Sequence, residues 1–138
     1  MSAALQQFSL VGQVAVVTGA YGELGSYMSK HLARAGATVG VLGRNESSVN
    51  ALVKEIIEEG NSAIALVADV TDRPSLEAAA AQLVAAHGTC HILVNAAGGN
   101  QPAATVMPDQ DFSDCPPEAF TQALDLNLVG TMIPCQVL

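Results

Sequence analysis

The stretch Val14-Ala-Val-Val-Thr-Gly-Ala-Tyr-Gly-Glu-Leu-Gly25 constrains this chain more than any other. Its apolar start reads as a short buried strand, and glycines at 19, 22 and 25 then force a tight turn. An amphipathic run begins directly behind them. Glycine suits such a turn because it adopts backbone angles closed to other residues and lets the main chain approach a ligand with no Cβ in the way. A helix starting there presents free N–H groups and the positive end of its dipole, where a pyrophosphate can sit. A glycine triplet alone fits a plain strand-to-helix loop equally well, so the rest of the chain must decide.

Strand and helix signals alternate with short links. Val14–Thr18, Thr38–Leu42, Ala63–Val67 and His91–Val94 read as strands. Residues 23–35 read as a helix with Leu24, Met28, Leu32 and Ala35 on its buried face. A second helix, capped by Asn45, runs through 59 and buries Val49, Leu52, Val53, Ile56 and Ile57. Asp72 caps a third, with Pro74 in its first turn and Leu76, Ala79, Ala80, Leu83 and Val84 inward. Gly36, Gly60 and Gly88 mark the three helix ends. Strands that are apolar throughout suit a parallel sheet covered on both faces. The expected fold is α/β, a Rossmann-type doubly wound parallel sheet with strand order 3-2-1-4. Residues 96–117, rich in Gly, Pro, Asp and Gln, read as one long functional loop. Glu118 opens a last helix with Phe120, Leu124 and Leu128 inward, and Pro134 should bend it by leaving the Gly130 carbonyl unpaired.

Composition narrows the function classes. Five Lys+Arg and a net charge of −8 cannot neutralise a nucleic-acid backbone. No apolar run approaches the roughly 20 residues that cross a bilayer. The opening Met1-Ser-Ala-Ala-Leu-Gln-Gln-Phe8 carries no leader signal, so a cytoplasmic protein is expected. Cys90, Cys115 and Cys135, with His31, His87 and His91, show no metal-ligand spacing, and no metal is expected.

Four motifs in order resemble the short-chain dehydrogenase/reductase family: Thr18-Gly-Ala-Tyr-Gly-Glu-Leu-Gly25, Asp69-Val70, Asn95-Ala-Ala-Gly98, and Asn127 within Leu-Asn-Leu-Val-Gly. The resemblance covers nearly the whole chain and implies an NAD(P)-dependent oxidoreductase. Such an enzyme moves hydride between a nicotinamide and a small-molecule carbonyl or alcohol, and its full-length relatives are homo-oligomers. It implies cofactor contacts from Gly19, Tyr21, Gly22, Glu23, Leu24 and Gly25, from Asp69 and Val70 beside the adenine, and from Asn95, Ala96, Ala97 and Gly98. It implies a catalytic-set role for Asn127. Glu23 stands where the family carries its middle glycine. Gly98-Gly-Asn-Gln-Pro102, Asp111-Phe112 and the Asp125–Thr131 segment with Pro134 and Gln136 resemble the mannonate oxidoreductase (fructuronate reductase) branch, which shares that departure and implies a sugar-acid substrate.

Three residues speak to the choice of cofactor. An acidic residue at the end of strand two binds the ribose 2′-hydroxyl of NAD. Here Gly43 is followed by Arg44, which can pair with a 2′-phosphate, and by Asn45, so NADP is expected over NAD.

The family's reaction also needs a tyrosine four residues before a lysine. Residues 1–138 contain Tyr21, Tyr27, Lys30 and Lys54 only, and none has that spacing. The chain therefore reads as one NAD(P)-binding domain, 1–138, truncated before the Ser/Tyr-x-x-x-Lys segment. Expressed alone it should be poorly soluble, bind cofactor weakly or not at all, and not turn over. The alternative is a non-catalytic dinucleotide-binding module or remnant. A methyltransferase shares the glycine turn but wants an acid where Gly43 sits.

Overall fold

The computed structural model describes residues 7–138. The opening residues 1–6, which bear on the leader question, lie outside the described residues. Four parallel strands form the sheet: β1 (Val14–Thr18), β2 (Thr38–Gly43), β3 (Ser62–Val67) and β4 (Ile92–Asn95), in the order β3-β2-β1-β4. Helices α1 (Glu23–Arg34), α2 (Glu46–Glu58) and α3 (Arg73–His87) connect them. In register, Val16 of β1 lies between Gly40 of β2 and Leu93 of β4.

The two-residue period of β1 builds both halves of the core. Ala15 and Val17 face the side of α1 and α2, where Val39, Val41, Val49, Leu52, Ile56 and Ala33 complete a buried cluster. Val14 and Val16 face the other side, with Leu42, Leu66, Leu76, Leu83 and Ile133. Each such leucine, isoleucine or valine contributes roughly 1.5–3 kcal/mol by leaving water. Only the two central strands are closed on both faces, for β3 and β4 are largely half-buried. His91 precedes β4 rather than belonging to it, and its Nδ1 accepts the Val14 N–H at 3.0 Å.

Three helix faces differ from expectation. The buried stripe of α1 is Gly25, Ser29 and Ala33, while Leu24 is 71% exposed and Met28 is also exposed. Small side chains let this helix lie close on the sheet, and Ser29 Oγ returns its proton to Gly25 O at 2.8 Å. Large side chains there would hold the helix off. Ile57 and Val84, expected inward on α2 and α3, are also exposed.

The last segment departs further. The expected single loop, 96–117, contains two short turns of 3₁₀ type, Pro102–Ala104 and Phe112–Asp114. Helix α4 (Pro117–Leu124) passes through a wide turn, Asp125–Val129, into α5 (Gly130–Val137). Phe120, Leu124 and Leu128 are exposed, and the buried residues are Ala119, Gly130, Ile133 and Pro134. A wide, i→i+5 turn inserts a residue into the helical period, so the 3.6 pattern no longer predicts which side faces in. The irregularity thus falls before Gly130 rather than being made by Pro134, which is fully buried within α5.

Candidate cofactor site

A groove of about 220 Å³ opens where the carboxyl ends of β1, β2 and β4 meet the start of α1. This is the place where an open α/β sheet reverses its strand order and admits a ligand. All four strand ends feed it. The Gly19–Gly22 turn follows β1, Gly43 and Arg44 end β2, and Ala96–Gly98 follow β4. Ala68, Asp69 and Val70 after β3, and Leu126 of the wide turn, close the remaining side.

The glycine turn is built by close backbone approach. Gly19 has φ +60°, and a Cβ there would stand 2.7 Å from Ala97 Cα. Gly25 is tighter, since its Cβ would stand 2.3 Å from Gly19 O. Gly22 N donates to Gly19 O at 3.0 Å, closing the turn. Gly22 then caps α1 without a side-chain hydrogen bond, so the first N–H groups of the helix have no intrahelical partner. A bound anion would satisfy them. Glu23, in the first turn of α1, suits the positive end of the dipole.

Thr18 joins two strand ends. It is fully buried, and its Oγ1 accepts from Ala96 N at 3.1 Å and Ala97 N at 3.0 Å. The loop after β4 is therefore held against the end of β1 by one hydroxyl.

Asp69 is fixed from below. Its Oδ1 accepts from Thr71 N at 2.8 Å and from Thr71 Oγ1 at 2.7 Å, and Arg44 Nη1 stands 3.6 Å from its Oδ2. Partial burial pushes its pKa up, but the Thr71 hydrogen bonds and the nearby guanidinium outweigh it, and the carboxyl lies below its ordinary value. Arg44 itself is largely exposed at the groove mouth. The carboxyl end of β2 carries no acid, for the Tyr21 ring lies over Gly43.

Asn127 sits in the wide turn and grips the far end of the β4 loop. Its Oδ1 accepts from Gly99 N at 3.0 Å, and its Nδ2 donates to Gly99 O at 3.0 Å and Ala123 O at 2.8 Å. Asn95 Nδ2 donates to Cys135 Sγ at 3.2 Å. Its Oδ1 is buried and has no partner among the described residues.

Of the residues singled out from sequence, Gly19, Tyr21, Gly22, Arg44, Asp69, Val70, Ala96, Ala97 and Gly98 line this one groove. Glu23, Leu24 and Gly25 lie beside it at the head of α1. Asn45 does not line it. Its Oδ1 caps α2, accepting from Ser48 N at 2.9 Å and Ser47 Oγ at 2.7 Å. Ala68 and Leu126 also line it and were not among the contacts expected from sequence, although Leu126 falls within the Leu-Asn-Leu-Val-Gly motif.

The sequence profile of the short chain dehydrogenase family matches residues 13–138. This chain belongs to that family. It is 37% identical over 137 residues to the uncharacterized oxidoreductase UxuB of Bacillus subtilis, spanning 94% of this chain and 49% of that protein. A Haemophilus influenzae protein assigned as a D-mannonate oxidoreductase, solved with bound NAD, superposes with a TM-score of 0.89 at 30% identity. That match covers 97% of this chain and 51% of the other. Actinorhodin polyketide ketoreductase with NADPH superposes at 0.80 and 28% identity, covering 90% of this chain and 45% of that one. The chain thus spans about half the length of these relatives. Solved members of the family hold either nicotinamide dinucleotide. Among the described residues, no helix is long and apolar enough to cross a membrane.

Proposed function

We propose that residues 1–138 are the dinucleotide-holding half of an NAD(P)-dependent oxidoreductase acting on a carbonyl or alcohol of a sugar acid. One observation carries the reading: the glycine turn, the head of α1 and the ends of all four strands converge on a single groove. The residues fit the cofactor, because the close backbone packing that Gly19 and Gly25 allow puts Gly19 and Gly22 on the groove wall beside the head of α1, which no side chain caps. A bound nicotinamide dinucleotide supplies hydride chemistry. The turn and the α1 N–H groups hold the pyrophosphate. Asp69 and Val70 flank the adenine. Thr18 sets the distance between the turn and the β4 loop, and Asn127 holds that loop at Gly99. The sugar-acid class rests on likeness to the Haemophilus protein assigned as a D-mannonate oxidoreductase.

NADP is the preferred cofactor in this reading, because Arg44 is the nearest cation to the bare end of β2 and is loosely paired. Titration calorimetry with NADPH and NADH tests both statements, carried to millimolar ligand: because the turn, the head of α1 and the strand ends already line one groove, weak but saturable binding is expected of this chain. NADPH should bind more tightly, and Arg44→Ala should remove that difference. Gly19→Val should abolish binding while far-UV CD is retained. Equal affinity for both nucleotides in the wild type refutes the preference, and unchanged binding by Gly19→Val refutes the site.

The tyrosine–lysine pairs within these residues do not suit the reaction. Tyr27 stacks on His31 at 6.4 Å between ring centroids on the outer side of α1, and Lys30 Nζ is tied to Glu55 at 2.7 Å. Asn127 acts here as a positioning residue, and proton transfer belongs to groups that residues 1–138 do not supply.

A further inference from the structure

The structure assigns to Tyr21 a role in choosing between dinucleotides: its ring occupies the space that any side chain at position 43 would need, and so keeps a ribose-binding carboxylate out of the groove. This rests on the proposal that a dinucleotide lies in the groove. A Cβ built on Gly43 would stand 2.3 Å from Tyr21 Cε1 and 2.8 Å from its Cδ1. Those distances are far inside ordinary carbon contact, so ring and side chain cannot share the place. The backbone at Gly43 imposes no such limit, since it is extended strand with no positive φ. What a side chain at position 43 would meet is the Tyr21 ring, not a limit set by its own backbone.

The consequence concerns charge. An aspartate at the end of this strand would accept hydrogen bonds from the ribose hydroxyls and repel a 2′-phosphate. With the ring in place, the charged groups at this end of the groove are Arg44 and, 3.6 Å from it, Asp69. Asp69 is turned toward Thr71 through Oδ1. Arg44 is thus the group available to a 2′-substituent. Discrimination is set by a pair 22 positions apart in sequence, one residue excluding an acid and the other leaving room for a phosphate.

The test is a double-mutant cycle on this chain with two readouts. Without ligand, Gly43→Ala should lower the melting temperature by about 2–8 °C as the ring is displaced, and Tyr21→Ala/Gly43→Ala should remove that penalty. With ligand, the ratio of NADH to NADPH dissociation constants is compared among wild type, Gly43→Asp, Tyr21→Ala and Tyr21→Ala/Gly43→Asp. Tyr21→Ala should weaken both nucleotides together and keep the ratio. The Tyr21→Ala/Gly43→Asp variant should move the ratio toward NADH by about tenfold or more, and Gly43→Asp alone by much less. Additive melting shifts, or a Gly43→Asp variant that changes preference as fully as the double variant, overturn the role of Tyr21. Saturable binding of neither nucleotide by the wild type overturns the dinucleotide reading itself, and the specificity role with it.

Discussion

Gly25→Ala separates the two services this glycine performs. In an open helix the substitution would be favourable by about 1 kcal/mol, because alanine is the better helix former. Here the new Cβ would stand 2.3 Å from Gly19 O and 3.0 Å from Ala20 Cα. Both are backbone atoms, so no rotamer change relieves the contact. Overpacking of this kind costs about 1–3 kcal/mol. The net change in stability is then small, a loss of roughly 0–2 kcal/mol. Geometry suffers more. Reaching ordinary contact requires the turn and the helix to part by roughly 1 Å. The N–H groups proposed to hold the pyrophosphate would leave hydrogen-bond range with them. Losing one hydrogen bond to a charged phosphate at about 1.5–3 kcal/mol raises the dissociation constant by about ten- to a hundredfold. Urea melts and NADPH titration on the same preparation should show little change in the first and a large change in the second. Gly22→Ala supplies the contrast, since its Cβ would meet Gly19 O at the milder distance of 3.2 Å. A Gly25→Ala chain stabilised by about 1 kcal/mol with unaltered affinity would refute the reasoning, because the turn would then have yielded at no cost.

Three further outcomes are expected. Thr18→Val strands the N–H groups of Ala96 and Ala97 at the end of β4, and urea denaturation should show a loss of about 2–4 kcal/mol that Thr18→Ser largely restores. Because the folded-state pKa of Asp69 is depressed, its stabilising contribution is fully present above the unfolded-state value near 3.9 and is lost as pH falls through the lower folded value; Asp69→Asn should flatten that acid limb in pH-dependent melts. Residues 1–138 alone should show no turnover of fructuronate or simple ketones at the nicotinamide absorbance, and enzyme-dependent NADPH oxidation that vanishes in Asn127→Ala would refute this.

The sheet was legible because its central strands are buried on both faces, and a continuous apolar run such as Val14–Val17 leaves little choice of structure. Strand order followed from short right-handed crossovers, and the observed β3-β2-β1-β4 agrees. The face of α1 was not legible. Leu24 and Met28 dominate any hydropathy count, yet closeness to the sheet selects the small residues Gly25, Ser29 and Ala33. Periodicity scores how apolar a stripe is, whereas a helix starting on a glycine turn is positioned by how little its stripe protrudes. The same limit hid the phase of α4 and α5, where the wide turn Asp125–Val129 breaks a period that the residues themselves do not announce.

The site shows the same division between what a motif names and what geometry explains. Arg44 and Asp69 were each conspicuous in sequence, but their 3.6 Å pairing is a property of two strand ends brought side by side by the β2–β3 register. Gly43 suggested only a missing acid. The space beside it is taken by the Tyr21 ring, from a different turn, and no local rule connects the two. Asn127 was conspicuous by its motif, yet its work depends on two glycines: a Cβ at Gly98 would stand 2.8 Å from its Oδ1, and Gly99 gives it both a donor and an acceptor. The wide turn is what carries this amide to the loop. Turns of this kind concentrate at functional sites because they re-aim a side chain while the helix continues on either side. Gly98 and Gly99 after β4 and Asn127 in the irregular turn between α4 and α5 therefore form one mechanical unit, which ties the β4 loop to that turn.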